Sequence, residues 1–182
     1  MKKIVQTLLT VMVMATVANA QTDKGDWMVG GNLAISTATG NSQFTVQPMG
    51  AYFFANGFAA GLNLRVNFAK IGDVNTSELA AGPFARYYFN LKNSSFKPFL
   101  HAEYTLGNLV TKVPGLKSSN TTGSFFLGAG GAYFINSNVA LEAVAGYNHT
   151  KVQSQDPENG FLFRIGFQVH LLGGEVDRVR GK

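Results

Sequence analysis

From Asp26 to Leu171 apolar and polar residues alternate in eight runs, separated by clusters of turn-forming residues. Each run is about ten residues long, the length a tilted strand needs to cross a bilayer. The last run is the clearest: Phe161, Phe163, Ile165, Phe167, Val169 and Leu171 fall on one face, and Arg164, Gly166, Gln168 and His170 on the other. The third sets Phe58, Ala60, Leu62, Leu64, Val66 and Phe68 against Gly61, Asn63, Arg65 and Asn67. The seventh sets Val139, Leu141, Ala143, Ala145 and Tyr147 against Glu142, Gly146 and Asn148. A sustained period of two belongs to strands, whose successive side chains leave on opposite faces. The runs start near Trp27, Phe44, Phe58, Leu79, Phe96, Phe125, Val139 and Phe161. The Gly and Ala content of the sixth, Phe125 to Phe134, leaves its facing open.

The connections add independent information. Those after the second, fourth and sixth runs are short: Ala55-Asn56-Gly57, Asn90 to Ser94, and Asn136-Ser137-Asn138. Those after the odd runs are longer and polar, the longest being Asn108 to Gly123 and Thr150 to Gly160. Short turns at one end, long loops at the other and an even strand count predict an all-β fold: an eight-stranded antiparallel up-and-down transmembrane β-barrel. Trp27, Tyr52, Phe58, Tyr87, Phe89 and Phe96 gather at the short-turn end as an expected interfacial girdle. Pro48, Pro83 and Pro98 fall on the outward phase within strands, where local bulges are the expected relief.

Composition agrees with this pattern. Charged residues make up 14% of the chain, against roughly 25% in an ordinary soluble domain. The absence of cysteine excludes a disulfide framework, a thiolate metal site and a lipidated cysteine. Residues 1–20 read as a cleaved secretory signal: Lys2 and Lys3 lead, Ile4 to Val17 is apolar, and Ala18-Asn19-Ala20 is a small-x-small cleavage site. The two lysines leave with that segment, so the formal charge of +5 falls to +3. The basic residues are scattered, which argues against nucleic acid as a partner. The expected organisation is a barrel over residues 21–172 and a polar tail over 173–182.

The segment Gln47-Pro48-Met49-Gly50-Ala51-Tyr52-Phe53-Phe54-Ala55-Asn56-Gly57-Phe58-Ala59-Ala60-Gly61 resembles the second hairpin of the small OmpA- and OmpX-type outer-membrane barrels, a porin-like family. Gly82-Pro83-Phe84-Ala85-Arg86-Tyr87-Tyr88-Phe89 is similar to that family's fourth strand, and the likeness extends over nearly the whole chain after residue 20. It implies integral residence in a bacterial outer membrane after export. It also implies contact with outer-membrane lipids and lipopolysaccharide, and passage through the barrel-assembly machinery. The family usually ends on an aromatic residue that this machinery reads, whereas here the last strand closes on Leu171-Leu172 and a polar tail.

Several motifs have plainer readings. Gly25-Asp26-Trp27 matches the opening of soluble lipocalins, but charged and amide residues on the inward phase fit a membrane barrel better. Some outer-membrane barrels modify lipid A with a rim histidine and a serine; His149-Thr150 lies at the rim without a serine and acid beside it in sequence. His101 and His170 lack ligand spacing, so no metal is expected, and no cofactor either. Gly128-x-Gly130-Gly131 sits within a strand and is no phosphate loop. Lys112, Lys117 and Lys151 on the outer connections are candidates for lipopolysaccharide phosphates.

The inward phase holds balanced charge: Arg65, Arg86 and Arg164 against Glu78, Glu103 and Glu142, with His101 and His170 among them. Eight strands enclose an interior just wide enough to be filled by side chains. The expectation is two stacked ionic layers: an upper one with Glu103 between Arg65 and Arg164, and a lower one holding Arg86 and Glu142 near His170. Glu78 is placed at the rim. The functional expectation is a non-enzymatic surface scaffold with a plugged polar lumen. A small-solute channel, a lipid-modifying enzyme and a lipocalin are the alternatives.

Overall fold

A computed structural model describes residues 22–38, 41–72, 74–91, 94–113, 116–153 and 155–173. The expected signal segment and the tail beyond Gly173 lie outside these residues. The strands are β1 (Trp27–Ala38), β2 (Asn41–Ala55), β3 (Phe58–Ile71), β4 (Val74–Tyr88), β5 (Phe96–Val113), β6 (Leu116–Phe134), β7 (Val139–Val152) and β8 (Glu158–Leu171). Each pairs antiparallel with its sequence neighbour, and the barrel closes where β1 meets β8 from Trp27↔Leu171 to Leu33↔Ile165.

Alternation sets the two faces. On β3, Leu62 is 68% exposed and Leu64 42%, while Asn63 and Arg65 between them are buried. On β8, Phe163 and Ile165 point out and Arg164 points in. Apolar side chains outside and polar ones inside is the arrangement of a barrel whose solvent is lipid. The sixth run takes a definite phase: Phe126, Ala132 and Phe134 are buried, and Phe125, Leu127 and Tyr133 are exposed. Inside, the Phe99 ring lies so close to Gly130 that a Cβ there would come within 2.6 Å of it. Outside, the Phe96 ring covers Gly131 in the same way. These two glycines are sites of close approach.

Three expectations about the strands change. Within the stretch Asn108 to Gly123, residues 108–113 continue β5 and residues 116–123 belong to β6, paired from Asn108↔Thr121 to Val113↔Leu116. Most of Thr150 to Gly160 likewise belongs to β7 and β8. Beyond the membrane both faces of a hairpin meet water, so alternation fades although the hydrogen-bond ladder continues. Strands β2, β4, β6 and β8 accordingly begin before the apolar runs that announce them.

The prolines use no bulge. Register between β2 and β3 is the same on both sides of Pro48, from Val46↔Val66 to Met49↔Asn63, and the pairing only lapses between. Pairing of β4 with β5 lapses likewise at Pro83, and Pro98 stays paired opposite Gly131. A missing N–H removes one rung without adding a residue. The register shift of β2–β3 lies instead at Phe53 and Ala55, next to the turn. There Gly57 has φ 78°, and a Cβ would come within 2.5 Å of the Tyr88 carbonyl oxygen.

At the short-turn end Trp27 meets Tyr52 edge-on at 5.1 Å, and Tyr87 meets Phe89 at 5.0 Å; Phe58 and Phe96 are exposed at the same end. A second girdle, missed in the sequence, circles the other end as directly opposed outward pairs: Phe44↔Phe68, Tyr104↔Phe125 and Tyr147↔Phe161. From Phe125 to Tyr133 on β6 the rise is roughly 20 Å on a tilted strand, close to the apolar band of such barrels. Leu64 lies between the girdles, so Leu64→Arg is expected to cost about 2–4 kcal/mol of stability in lipid vesicles. Gln43→Arg, on the inward phase of β2, is expected to cost clearly less; equal costs in a urea titration would contradict the facing assigned here.

Candidate functional site: a polar chain across the lumen

The inward phase brings Arg86 of β4, His101 and Glu103 of β5, Glu142 of β7 and Arg164 of β8 together, each at most 5% exposed. Arg86 is the anchor on the short-turn side. Its Nη1 donates to Glu142 Oε2 at 2.5 Å and to the Tyr88 hydroxyl at 2.9 Å. Tyr88 donates in turn to Glu142 Oε1 at 2.7 Å, so both carboxylate oxygens are engaged. The guanidinium carbon lies 4.3 Å from the centre of the Phe99 ring, and the Met28 and Met49 sulfurs pack beside it.

Glu103 anchors the other side. Arg164 grips it with two nitrogens, Nη2 to Oε1 at 2.8 Å and Nη1 to Oε2 at 3.0 Å. Gln47 Nε2 and Asn63 Nδ2 also donate to Oε2, and Gln47 Oε1 accepts from Arg164 Nη1 at 2.6 Å. Arg164 rests over the Phe126 ring at 4.0 Å. The fork of a guanidinium matches the two oxygens of a carboxylate, which makes this the strong form of the contact.

His101 joins the two anchors. Arg86 Nε donates to His101 Nδ1 at 3.2 Å, and His101 Nε2 lies 3.0 Å from Glu103 Oε2. Because a guanidinium can only donate, Nδ1 is the acceptor; the proton therefore sits on Nε2 and is donated to Glu103. The two expected layers are thus one chain, Glu142–Arg86–His101–Glu103–Arg164–Gln47, spanning β7, β4, β5, β8 and β2.

Other expected members stand elsewhere. Arg65 is buried but does not reach Glu103; its Nη2 donates to the Thr105 hydroxyl on β5. The intervening strand β4 presents Ala80 and Gly82 inward, and their small size leaves that path open. Gln47, Asn63 and His101 occupy the side of Glu103 that Arg65 was expected to take. Glu78 is 9% exposed and forms no hydrogen bond or ion pair among the described residues. His170 packs among the rings of Phe53, Tyr88 and Phe134, at 5.0 Å from the last. Among the described residues no group of three His, Cys, Asp or Glu side chains could hold a metal.

Below this chain the segment preceding β1 tucks under the barrel. Thr22 is fully buried; it accepts from Lys97 Nζ at 2.7 Å and donates to Asn90 at 3.0 Å. Asp26 accepts from the backbone of Asp23 and of Gly173, tying the start of the barrel to its end. At the opposite rim His149 points outward, and its Nδ1 lies 2.6 Å from Asn159 Oδ1, which also accepts from Tyr147 at 2.6 Å. Among the described residues no serine or acid is hydrogen-bonded to His149. Lys112 and Lys151 are exposed on the outward phase beyond the second girdle, as is Lys70, while the Lys117 side chain lies outside the described residues.

The fold has solved counterparts. Neisserial surface protein A superposes with TM-score 0.63 and 22% identity over 80% of this chain and 97% of that one. The N-terminal β-barrel domain of Pseudomonas aeruginosa OprF gives TM-score 0.53 at 12% identity, over 81% and 98% of the two chains. OprG of the same organism gives 0.52 at 12%, over 84% and 98%. Among curated proteins no sequence matches. The outer membrane protein beta-barrel domain family matches residues 7–170. With a closed eight-stranded barrel, apolar outside and polar within, the chain belongs to that family of bacterial outer-membrane proteins.

Proposed function

We propose that this protein is an exported, non-enzymatic outer-membrane scaffold, closed through its lumen by the polar chain and displaying its extended hairpins outside the cell. The observation that carries the reading is the continuity of that chain from Glu142 on β7 to Gln47 on β2. Long side chains that satisfy one another across a narrow barrel leave little room for a water column. The hairpin of β5 and β6 reaches well past the second girdle, and surface segments on a rigid frame are where specificity resides.

Residues 1–20 direct export and are removed, and the strands are then inserted by the barrel-assembly machinery. Lys70 and Lys151 face outward a few positions beyond Phe68 and Tyr147, at the height of lipid phosphates, with Lys112 further out on β5, and the three hold lipopolysaccharide there. Replacing these three lysines with alanine is expected to reduce the lipopolysaccharide that copurifies with the barrel by several-fold, with its melting in detergent unchanged; unchanged lipopolysaccharide would remove this contact from the account. The scaffold role is tested by shortening the hairpin between Asn108 and Gly123 and measuring attachment of expressing cells to other cell surfaces. Loss of attachment with normal outer-membrane abundance is expected. Attachment that survives trimming of every outer hairpin would overturn the reading.

A further inference from the structure

Above the polar chain the lumen opens into a cup of about 340 Å³, with Arg164 in its floor and Arg65, Glu78, Asn148 and Glu158 in its walls. That volume lies at the small end of ligand pockets. Two features of its wall have no partner that would explain them. Glu78 is nine-tenths buried, yet its carboxylate has no hydrogen bond or ion pair among the described residues. Arg65 is buried to the same degree and spends one nitrogen on Thr105, leaving Nε without a partner among the described residues.

The two are diagonal neighbours on the inner surface. Asn67 stands opposite Glu78 and Arg65 opposite Ala80, so the charges project from positions about 7–8 Å apart. Arg65 leans toward Thr105 and away from Glu78, and no ion pair forms between them. Opposite charges sharing a confined wall without pairing are costly unless something lies between them. Asn148 adds an acceptor oxygen that has no partner among the described residues, its amide nitrogen being turned to Thr150. Arg164 is already satisfied by Glu103 and Gln47 and offers little to a ligand. None of the residues lining the cup is aromatic, which removes the stacking platform a sugar or nucleobase would use.

We infer that this cup is a binding site for a short zwitterion entering from outside the cell, its ammonium on Glu78 and Asn148 and its carboxylate on Arg65. The inference goes beyond the scaffold reading and rests on it in one respect: the closed floor makes the cup a site of retention rather than of passage.

Glycylglycine serves as probe, with N-acetylglycine and glycinamide supplying the carboxylate and the ammonium separately. Calorimetric titration of the refolded barrel in detergent is expected to give saturable one-to-one binding of glycylglycine, with each half-ligand weaker by about tenfold or more. Glu78→Gln is expected to weaken glycylglycine by about tenfold while leaving N-acetylglycine binding unchanged. Arg65→Gln is expected to do the reverse, sparing glycinamide. Thermal melts establish that both variants are folded; if Arg65→Gln is not, Glu78→Gln and the half-ligands still decide. Absence of saturable glycylglycine binding by the wild-type protein, or binding insensitive to Glu78→Gln, would overturn the site. Conductance reports the floor separately: a conducting barrel that binds the probe keeps the site and loses the plug.

Discussion

Glu142→Ala is expected to destabilise the folded barrel by about 3–5 kcal/mol, because it leaves the fully enclosed Arg86 guanidinium without its carboxylate. The loss reaches beyond one ion pair. Tyr88 loses its carboxylate acceptor and keeps only the weak Met28 sulfur, and no other acidic side chain among the described residues is bonded to Arg86. The pair itself is not counted as a large source of stability, since desolvation of two charges offsets most of their attraction. Removing both charges separates these ideas. Arg86→Met combined with Glu142→Ala is expected to recover much of the loss, with methionine filling the space beside Met28, Met49 and Phe99. Urea titrations from lipid vesicles measure all three variants. A double variant as unstable as Glu142→Ala would mean that the damage is a cavity and not a stranded charge.

Glu103→Ala is the second large effect, also about 3–5 kcal/mol, and it should act on permeability as well. Glu103 is the one carboxylate that Arg164, Gln47, Asn63 and His101 share, so its removal frees four side chains from three other strands and from β5 itself. Arg164 keeps only Gln47 and its place over Phe126. A measurable leak of small ions is expected beside the lower stability. Glu78→Ala, with no partner to release, is expected to leave the barrel closed and no less stable. Wild-type behaviour of Glu103→Ala in both assays would remove the polar chain from the account.

The barrel was legible because lipid enforces a simple rule. With one face against hydrocarbon, residues such as Leu62 and Phe163 must alternate with Asn63 and Arg164, and a period of two survives in the sequence. The facing of the lumen charges follows from the same rule. Their partners do not. Arg65 and Arg164 share a phase with Glu103, but partner choice depends on the stagger of tilted strands and on the space left by Ala80 and Gly82. The bridging role of His101 is not legible because it lies in contacts to β4 and within β5 that no spacing encodes. The sixth strand was silent because Gly and Ala carry little preference for either face. The outer girdle was missed because its members lie at the ends of separate runs, and only register sets Phe44 beside Phe68 and Tyr104 beside Phe125.

The central claim, that side chains close this lumen, is tested most directly by single-channel recording of the refolded full barrel in planar bilayers. The wild-type protein is expected to show no stable open level, and Glu103→Ala to show brief small openings. A steady ohmic conductance of the wild-type barrel would contradict the claim and make the protein a small channel.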